Sequence, residues 1–187
     1  MSLDQREWDT LLRHIRRGRC TPVIGAGASA SIVPGAATLA RAWADEYDYP
    51  LADDSDLARV SQYIALTDYP ARPKEMMLDE LEKVSDVDLS GTPYPHLAQL
   101  PFKLYITTNY DDLIARSLRP AKSPATDYCR WNQFEDIAAE APPGRNHEPS
   151  VAEPLVYHLH GQAQWIESLV LTEEDYLDFL IAAAENS

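Results

Sequence analysis

Val23-Ile24-Gly25-Ala26-Gly27-Ala28-Ser29, or VIGAGAS, is the stretch on which the reading of this chain turns. Val23 and Ile24 form a short apolar run that reads as the end of a buried strand, and Gly25 and Gly27 let backbone come close to a ligand. A strand that stops at a glycine turn and restarts as a helix aims bare N–H groups at one spot, and a phosphate suits that spot. The spacing fits the dinucleotide pattern G-x-G-x-x-G/A, with Ala30 in the last place. This pattern predicts the first strand-turn-helix unit of a parallel α/β sheet.

Outward from that turn, the elements follow in order. Ser2 to Arg17 reads as an amphipathic helix carrying Trp8, Leu11, Leu12 and Ile15 on one face, with Ser2 and Gln5 as its capping box. After the turn come an apolar helix near Thr38 to Tyr47, an acidic excursion from Asp48 to Asp56, and helices near Ser55 to Thr67 and Pro73 to Val84. Met76 and Met77 are read as core filling. Lys103 to Thr107 (KLYIT) has strand content and Asp111 to Leu118 has helix content, with Thr108-Asn109-Tyr110 between them. Pro120 to Pro154 reads as irregular: an aromatic segment (Tyr128, Trp131, Phe134), then a mobile loop from Ala141 to Ser150. Leu155 to Leu159 is a further strand ending in His160-Gly161-Gln162. Leu169 to Leu171 is a short one, and Thr172 with Asp175 caps a helix that ends near Ala184. Three strands thus end in polar clusters at the same kind of edge, where open parallel sheets bind ligands.

The totals narrow the function classes. At 187 residues and 45% hydrophobic content, the chain supports one sizeable soluble domain. Its net charge of −14, from 16 Lys and Arg against 30 Asp and Glu, disfavours contact with nucleic acid. An anionic cofactor would have to be held by local backbone dipoles or single cations. No stretch approaches a membrane span and the charged N-terminus is unlike a signal peptide, so cytoplasmic residence is the default expectation. Cys20 and Cys129 are far apart and outside any C-x-x-C pair, which excludes a four-cysteine zinc module and argues against a disulfide framework.

Together the residues resemble a family. GAGAS (Gly25–Ser29), TTNYD (Thr107–Asp111) and HLHG (His158–Gly161) resemble, in order and context, the sirtuin motifs GAG-x-S, T-x-N-x-D and HG. The likeness is closer still to the sirtuin-like domains of bacterial anti-phage defence proteins, which read near ITTNYDDLI and carry LTEEDY after the histidine segment. The resemblance implies an α/β, Rossmann-like parallel sheet with helices on both faces, a helical insertion and no zinc ribbon. It divides residues 1–187 into an N-terminal helix (1–18), a first βα unit (19–47), the helical insertion (48–100) and the remaining strands and helices (101–187).

It also implies chemistry: NAD as substrate, no metal, and cleavage of the nicotinamide–ribose bond by an NAD glycohydrolase. Departure of nicotinamide leaves an oxocarbenium-like sugar, and a histidine titrating near neutrality suits the proton of the incoming nucleophile. His160 takes that part by position. Asn109, whose amide both donates and accepts, would hold a ribose hydroxyl and a water. Asp111 would accept from the nicotinamide carboxamide, and Gly25, Ala26, Gly27, Ala28, Ser29 and Thr108 would contact the cofactor, with the amides from Ala26 to Ser29 facing the diphosphate. A homo-oligomer or a fused sensor domain is the implied setting, with the chain as the N-terminal part of a longer protein.

Three departures bear on the resemblance. Two cysteines cannot build the deacylase zinc ribbon. The cofactor loop reads Val33-Pro34-Gly35-Ala36-Ala37-Thr38, without the arginine and aromatic of G-I-P-x-F-R. No G-[TS]-S segment precedes Ser187, so the adenosine side of the pocket is expected to be incomplete and the C-terminal part of the fold missing. Two other readings remain open: a non-catalytic module that senses NAD or an ADP-ribose derivative, and a zinc-free protein deacylase. His158 could be structural, Asn109 could cap the next helix, and Asp112 is read as the cap-region acid.

Overall fold

The computed structural model describes residues 3–132 and 147–185. Four strands, β1 (Val23–Ile24), β2 (Leu104–Thr107), β3 (Ala125–Tyr128) and β4 (Leu155–His158), pair in parallel in the order β1-β2-β4-β3. The register sets Ile24 beside Thr107, Thr107 beside His158, and His158 beside Tyr128 in one row across the sheet. Parallel strands that finish in one row open their next turns on one edge, so the segments after β1, β2 and β4 meet there. This is the α/β, Rossmann-like arrangement that the three motifs predict.

Alternation along the strands buries one face. Tyr105, Thr107, Val156 and His158 are at most 1% exposed, whereas Leu104, Ile106 and Tyr157 on the opposite face are half-buried. Against the buried face pack Tyr94 and Ala98 of α5 (Tyr94–Ala98) and Leu113, Ile114 and Leu118 of α6 (Leu113–Leu118). Each fully buried aliphatic side chain here contributes roughly 1.5–3 kcal/mol of burial free energy, which holds the short strands in register.

A second apolar cluster forms the other wall of the edge. It gathers α2 (Ala36–Glu46), α3 (Leu57–Thr67) and α4 (Arg72–Glu82) around Leu39, Trp43, Val60, Ile64, Met76 and Met77, and Leu171 joins it. The two methionines are core residues, as the sequence predicts. Asp56 starts α3 by accepting from the N–H groups of Ala58 and Arg59, and Pro73 lies in the first turn of α4. α7 (Glu173–Glu185) begins with the reciprocal bonds expected of Thr172 and Asp175. Lys74 of α4 donates to Asp175 at 3.1 Å and ties the two helices together.

Several expectations differ from what forms. α1 (Gln5–Arg16) is capped by Asp4 and Glu7, which bond each other's backbone N–H, in place of Ser2 and Gln5. Its apolar face stays largely in solvent, with Trp8 47% exposed. β3 lies within the stretch read as irregular, because four residues containing Thr126 and Asp127 carry too little apolar alternation to stand out among prolines. Leu169 to Leu171 is buried but is no strand. The Val170 carbonyl accepts from the Tyr110 hydroxyl, its N–H donates to the His160 carbonyl, and the Leu171 N–H donates to Asp175, so no ladder is made. α5, five residues long, has no periodic signal that marks it as a helix in the sequence. Phe134 and Ala141 to Asn146 lie outside the described residues. No helix among the described residues is long and apolar enough to cross a membrane.

Candidate active site

The carboxyl edge of the sheet and the α2–α3–α4 cluster enclose a cavity of about 480 Å³. Ala26 and Ser29 reach it from the turn after β1, Thr108, Asn109 and Asp111 from the turn after β2, and His160 from the turn after β4. Six of the nine residues singled out from the sequence therefore share one wall. Gly25, Gly27 and Ala28 do not line it.

The turn after β1 departs in detail from the expected strand-to-helix restart. One 3-10 turn, Ala26–Ala28, takes the place of a long helix. Within it the Ala28 and Ser29 N–H groups donate to the Gly25 and Ala26 carbonyls at 3.0 and 3.1 Å. Two of the four amides expected to face a diphosphate are thus spent internally, which leaves those of Ala26 and Gly27. Gly25 sits where an added Cβ would lie 3.5 Å from the Thr108 hydroxyl, whereas Gly27 faces open space. Val33, Pro34 and Ala36 of the altered loop give the cavity an apolar side. Among the described residues the lining includes Asp56, Asp111 and His160 and no lysine or arginine.

Asn109 is 8% exposed and is held at several points. Its N–H donates to the Thr107 hydroxyl at 3.0 Å, and its Nδ2 donates to the Tyr94 hydroxyl at 3.4 Å. Its carbonyl accepts from Nδ1 of His158 at 2.9 Å, which assigns the His158 proton to Nδ1 because a carbonyl only accepts. Burial disfavours the imidazolium of His158, and its Nε2 has no hydrogen-bond partner among the described residues. His158 is thus a neutral prop beneath Asn109, in line with the structural reading of that residue. Asn109 caps nothing: Asp111 accepts from the Leu113 N–H at 3.0 Å, while Asp112 pairs with Arg119 at 3.1 Å. Asp112 stands at the N-cap position of α6, as expected of the cap-region acid, but its side chain makes no cap bond; the side-chain acceptor at the helix start is Asp111.

Asp111 is also the most perturbed acid of the site. Burial raises its carboxyl to about 6, opposed in part by the Leu113 N–H. His160 stands past the end of β4, so the alternation that would put it beside His158 no longer applies. Its ring is edge-on to Tyr176 and Phe179, 5.5 and 5.2 Å between centroids, and has no hydrogen-bond partner among the described residues. Burial lowers its pKa below 6.5, so the ring is neutral at pH 7 with a lone pair available. Gly161 makes this placement possible. It has φ +88°, and a Cβ there would sit 2.1 Å from the Ser168 carbonyl oxygen.

Other wall residues drew no attention as site residues. Tyr176 belongs to LTEEDY and Tyr110 to TTNYD, so the motifs held them without assigning them a place. Asp56 lines the cavity while capping α3, and Tyr94 braces Asn109 from a five-residue helix with no periodic signal of its own. Among the described residues no group of three His, Cys, Asp or Glu is arranged to hold a metal ion.

Residues 103–187 match the SIR2-like domain family. Curated relatives include the NAD(+) hydrolase ThsA of Acinetobacter baumannii, 26% identical over 173 residues, which is 90% of this chain and 32% of that protein. The protein of the same name from Cytobacillus dafuensis is 27% identical over 82% of this chain and 29% of its own length. That of Enterococcus faecium is 36% identical over 43% of this chain and 14% of its length. The chain spans about a third of the length of the Acinetobacter and Cytobacillus proteins. Beside the parallel sheet and its three motif-bearing turns, these matches show similarity to the SIR2-like domain over residues 103–187 and homology, at low identity, to the ThsA proteins over most of the chain.

Proposed function

We propose that this chain is the catalytic domain of an NAD glycohydrolase, the activity printed in the names of its ThsA relatives. The observation that carries the reading is the meeting of His160, Asn109 and Asp111 on one cavity wall at the carboxyl edge of a parallel sheet. In the reaction, the bond between ribose C1′ and the nicotinamide nitrogen breaks and its electron pair leaves with nicotinamide. A water oxygen then bonds to C1′ and gives up a proton, with ADP-ribose as the second product. His160, neutral and half-buried, takes that proton. Asn109 orients the water and a ribose hydroxyl. Asp111 accepts from the carboxamide N–H, and the positive pyridinium of bound NAD favours its ionised form.

Ala26, Ser29 and Thr108 form the remainder of the cofactor wall in this reading, with Gly25, Gly27 and Ala28 shaping the turn that carries them. With no lysine or arginine among the described lining residues, the diphosphate relies on backbone N–H groups in this reading, in keeping with the acidic composition. We assign the domain to the cytoplasm, to anti-phage defence, and to an oligomer or a fusion with a sensor.

The test is nicotinamide release from NAD by the full polypeptide under activating conditions. His160→Ala and Asn109→Ala are each expected to lower the rate by about 100-fold or more, the range for loss of a proton acceptor or of orientation. Wild-type release by both variants would overturn the assignment.

A further inference from the structure

The His160 ring has no hydrogen-bond partner among the described residues, whereas a histidine that accepts protons is ordinarily oriented by an acceptor on its second nitrogen. His158, two residues earlier, shows the contrast: its Nδ1 is fixed on the Asn109 carbonyl at 2.9 Å. What meets the His160 ring instead is α7. The ring of Tyr176 stands 5.5 Å from it at 81°, and that of Phe179 stands 5.2 Å from it at 83°. Both separations lie in the range at which perpendicular rings attract each other. Tyr176 and Phe179 are three residues apart on one helix and share one of its faces. Two near-perpendicular neighbours leave the imidazole plane little room to turn. Phe179 does not line the cavity, whereas His160 and Tyr176 do, so a change at Phe179 reaches a bound substrate only through residues that line it.

We propose that Phe179 is a positioning residue for His160: with Tyr176 it grips the imidazole edge-on, fixes its plane at the cavity wall and keeps water from its buried side. The inference rests on the proposed NADase reading for its catalytic consequence, but not for the ring contacts. The seat of α7 is built to hold these two rings in place. One oxygen of Asp175 accepts from the Leu171 and Thr172 N–H groups at 3.0 and 2.9 Å, and the other accepts from Lys74 of α4 at 3.1 Å. The Gln62 side chain of α3 accepts from the Glu174 N–H at 3.0 Å. Two helices thus tie down the first turn of α7 immediately before Tyr176. Packing orients a ring without stabilising its imidazolium, and burial accordingly lowers the His160 pKa below 6.5. The titratable groups that share the cavity with His160 are Asp56 at the start of α3, Tyr110 and Asp111 after β2, and Tyr176 on α7. Asp111, at about 6, titrates in the same range, so the His160 ring has to be observed directly.

The experiment uses the full polypeptide with histidine labelled with ¹³C at Cε1, and reads two quantities. The first is the titration of the His160 signal, identified by its loss in His160→Ala. The second is the split between kcat and KM for nicotinamide release from NAD. Phe179→Ala removes both the ring and its bulk. Its His160 titration is expected to move up towards 6.5 and its kcat to fall about 10-fold or more, with KM within about 2-fold. Phe179→Leu keeps an apolar side chain and loses the flat ring. Its titration is expected to stay below 6.5 while kcat falls about 3- to 10-fold. Leu180→Ala, at a position 60% exposed on the same helix, is expected to change neither quantity, and melting temperatures check that the variants fold. An unchanged His160 titration in Phe179→Ala, or a wild-type kcat in Phe179→Leu while His160→Ala is inactive, overturns the proposal although the NADase reading stands. An equal loss in Leu180→Ala also overturns it, because the effect then belongs to α7 as a whole. If His160→Ala keeps full nicotinamide release, the NADase reading fails, and the titration in Phe179→Ala alone decides whether Phe179 shields the ring.

Discussion

Asp111→Asn is expected to stabilise the fold at neutral pH while weakening the site. Burial moves the Asp111 carboxyl from 3.8 to about 6 on folding. At ~1.4 kcal/mol per pH unit, that difference makes the ionised carboxylate a liability of roughly 3 kcal/mol. The native state holds this proton more tightly than the unfolded chain, so stability falls as pH rises from about 4 to about 6. Below that window both states are protonated and the liability disappears; above it the full cost is present. Asparagine keeps the shape, and its oxygen can still accept from the Leu113 N–H at 3.0 Å. Urea denaturation followed by far-ultraviolet circular dichroism at pH 4, 5, 6 and 7.5 measures the effect. Asp111→Asn should gain up to about 3 kcal/mol over wild type at pH 7.5 and only about 0.6 kcal/mol at pH 4. A variant less stable than wild type at pH 7.5, or an advantage independent of pH, would refute the reasoning. A carboxylate kept at such a cost in a cavity fits a ligand-binding role, and weaker NAD binding by the variant is the accompanying expectation.

Gly161→Ala combines the strain of φ +88° with a Cβ 2.1 Å from the Ser168 carbonyl oxygen. That carbonyl already accepts from the Trp131 indole at 2.8 Å, so relief by movement breaks a buried bond. Strain of ~1–3 kcal/mol and an unpaired donor at ~1–3 kcal/mol put the loss near 2–6 kcal/mol, measurable by urea titration; less than about 1 kcal/mol would contradict this account. Gly27→Ala meets nothing within 4 Å and should change stability by no more than about 0.5 kcal/mol, so a rise in KM for NAD would report ligand approach alone. Lys74→Met leaves Asp175 without its ammonium partner at a place where the two side chains are 11% and 13% exposed, and should cost about 3–5 kcal/mol in thermal or urea unfolding. Because burial lowers the His160 pKa, the acid limb of kcat/KM should lie below pH 6.5 in a pH-rate profile. An acid limb above 6.5 would remove His160 as the base.

How much was legible from sequence differs by element. Helices with a full apolar stripe or a strong cap, such as α3 behind Asp56 and α7 behind Thr172 and Asp175, could be placed within a few residues, because their signals are local. β3 and α5 could not: each is four or five residues long, and partners distant in sequence decide them. The apolar run Leu169–Leu171 misled for the same reason. Its burial was readable, but its hydrogen bonds go to Tyr110, His160 and Asp175, which no local rule supplies.

The sequence by itself determined the parallel α/β class and the three turns that carry Ser29, Asn109 with Asp111, and His160, since glycine spacing and strand-ending polar residues are written locally. Only the tertiary structure decided which side of each residue faces the cavity. It placed His158 as a prop and His160 at the wall, made Asp111 rather than Asp112 the buried acceptor, and brought Tyr94 beneath Asn109. The physical reason is that burial and hydrogen-bond direction depend on neighbours brought together by the sheet register and the helical cover. In VIGAGAS the glycines announced a turn; the fold determined that two of its amides serve the turn itself and that the hydroxyl of its serine bonds back to the Ala26 carbonyl.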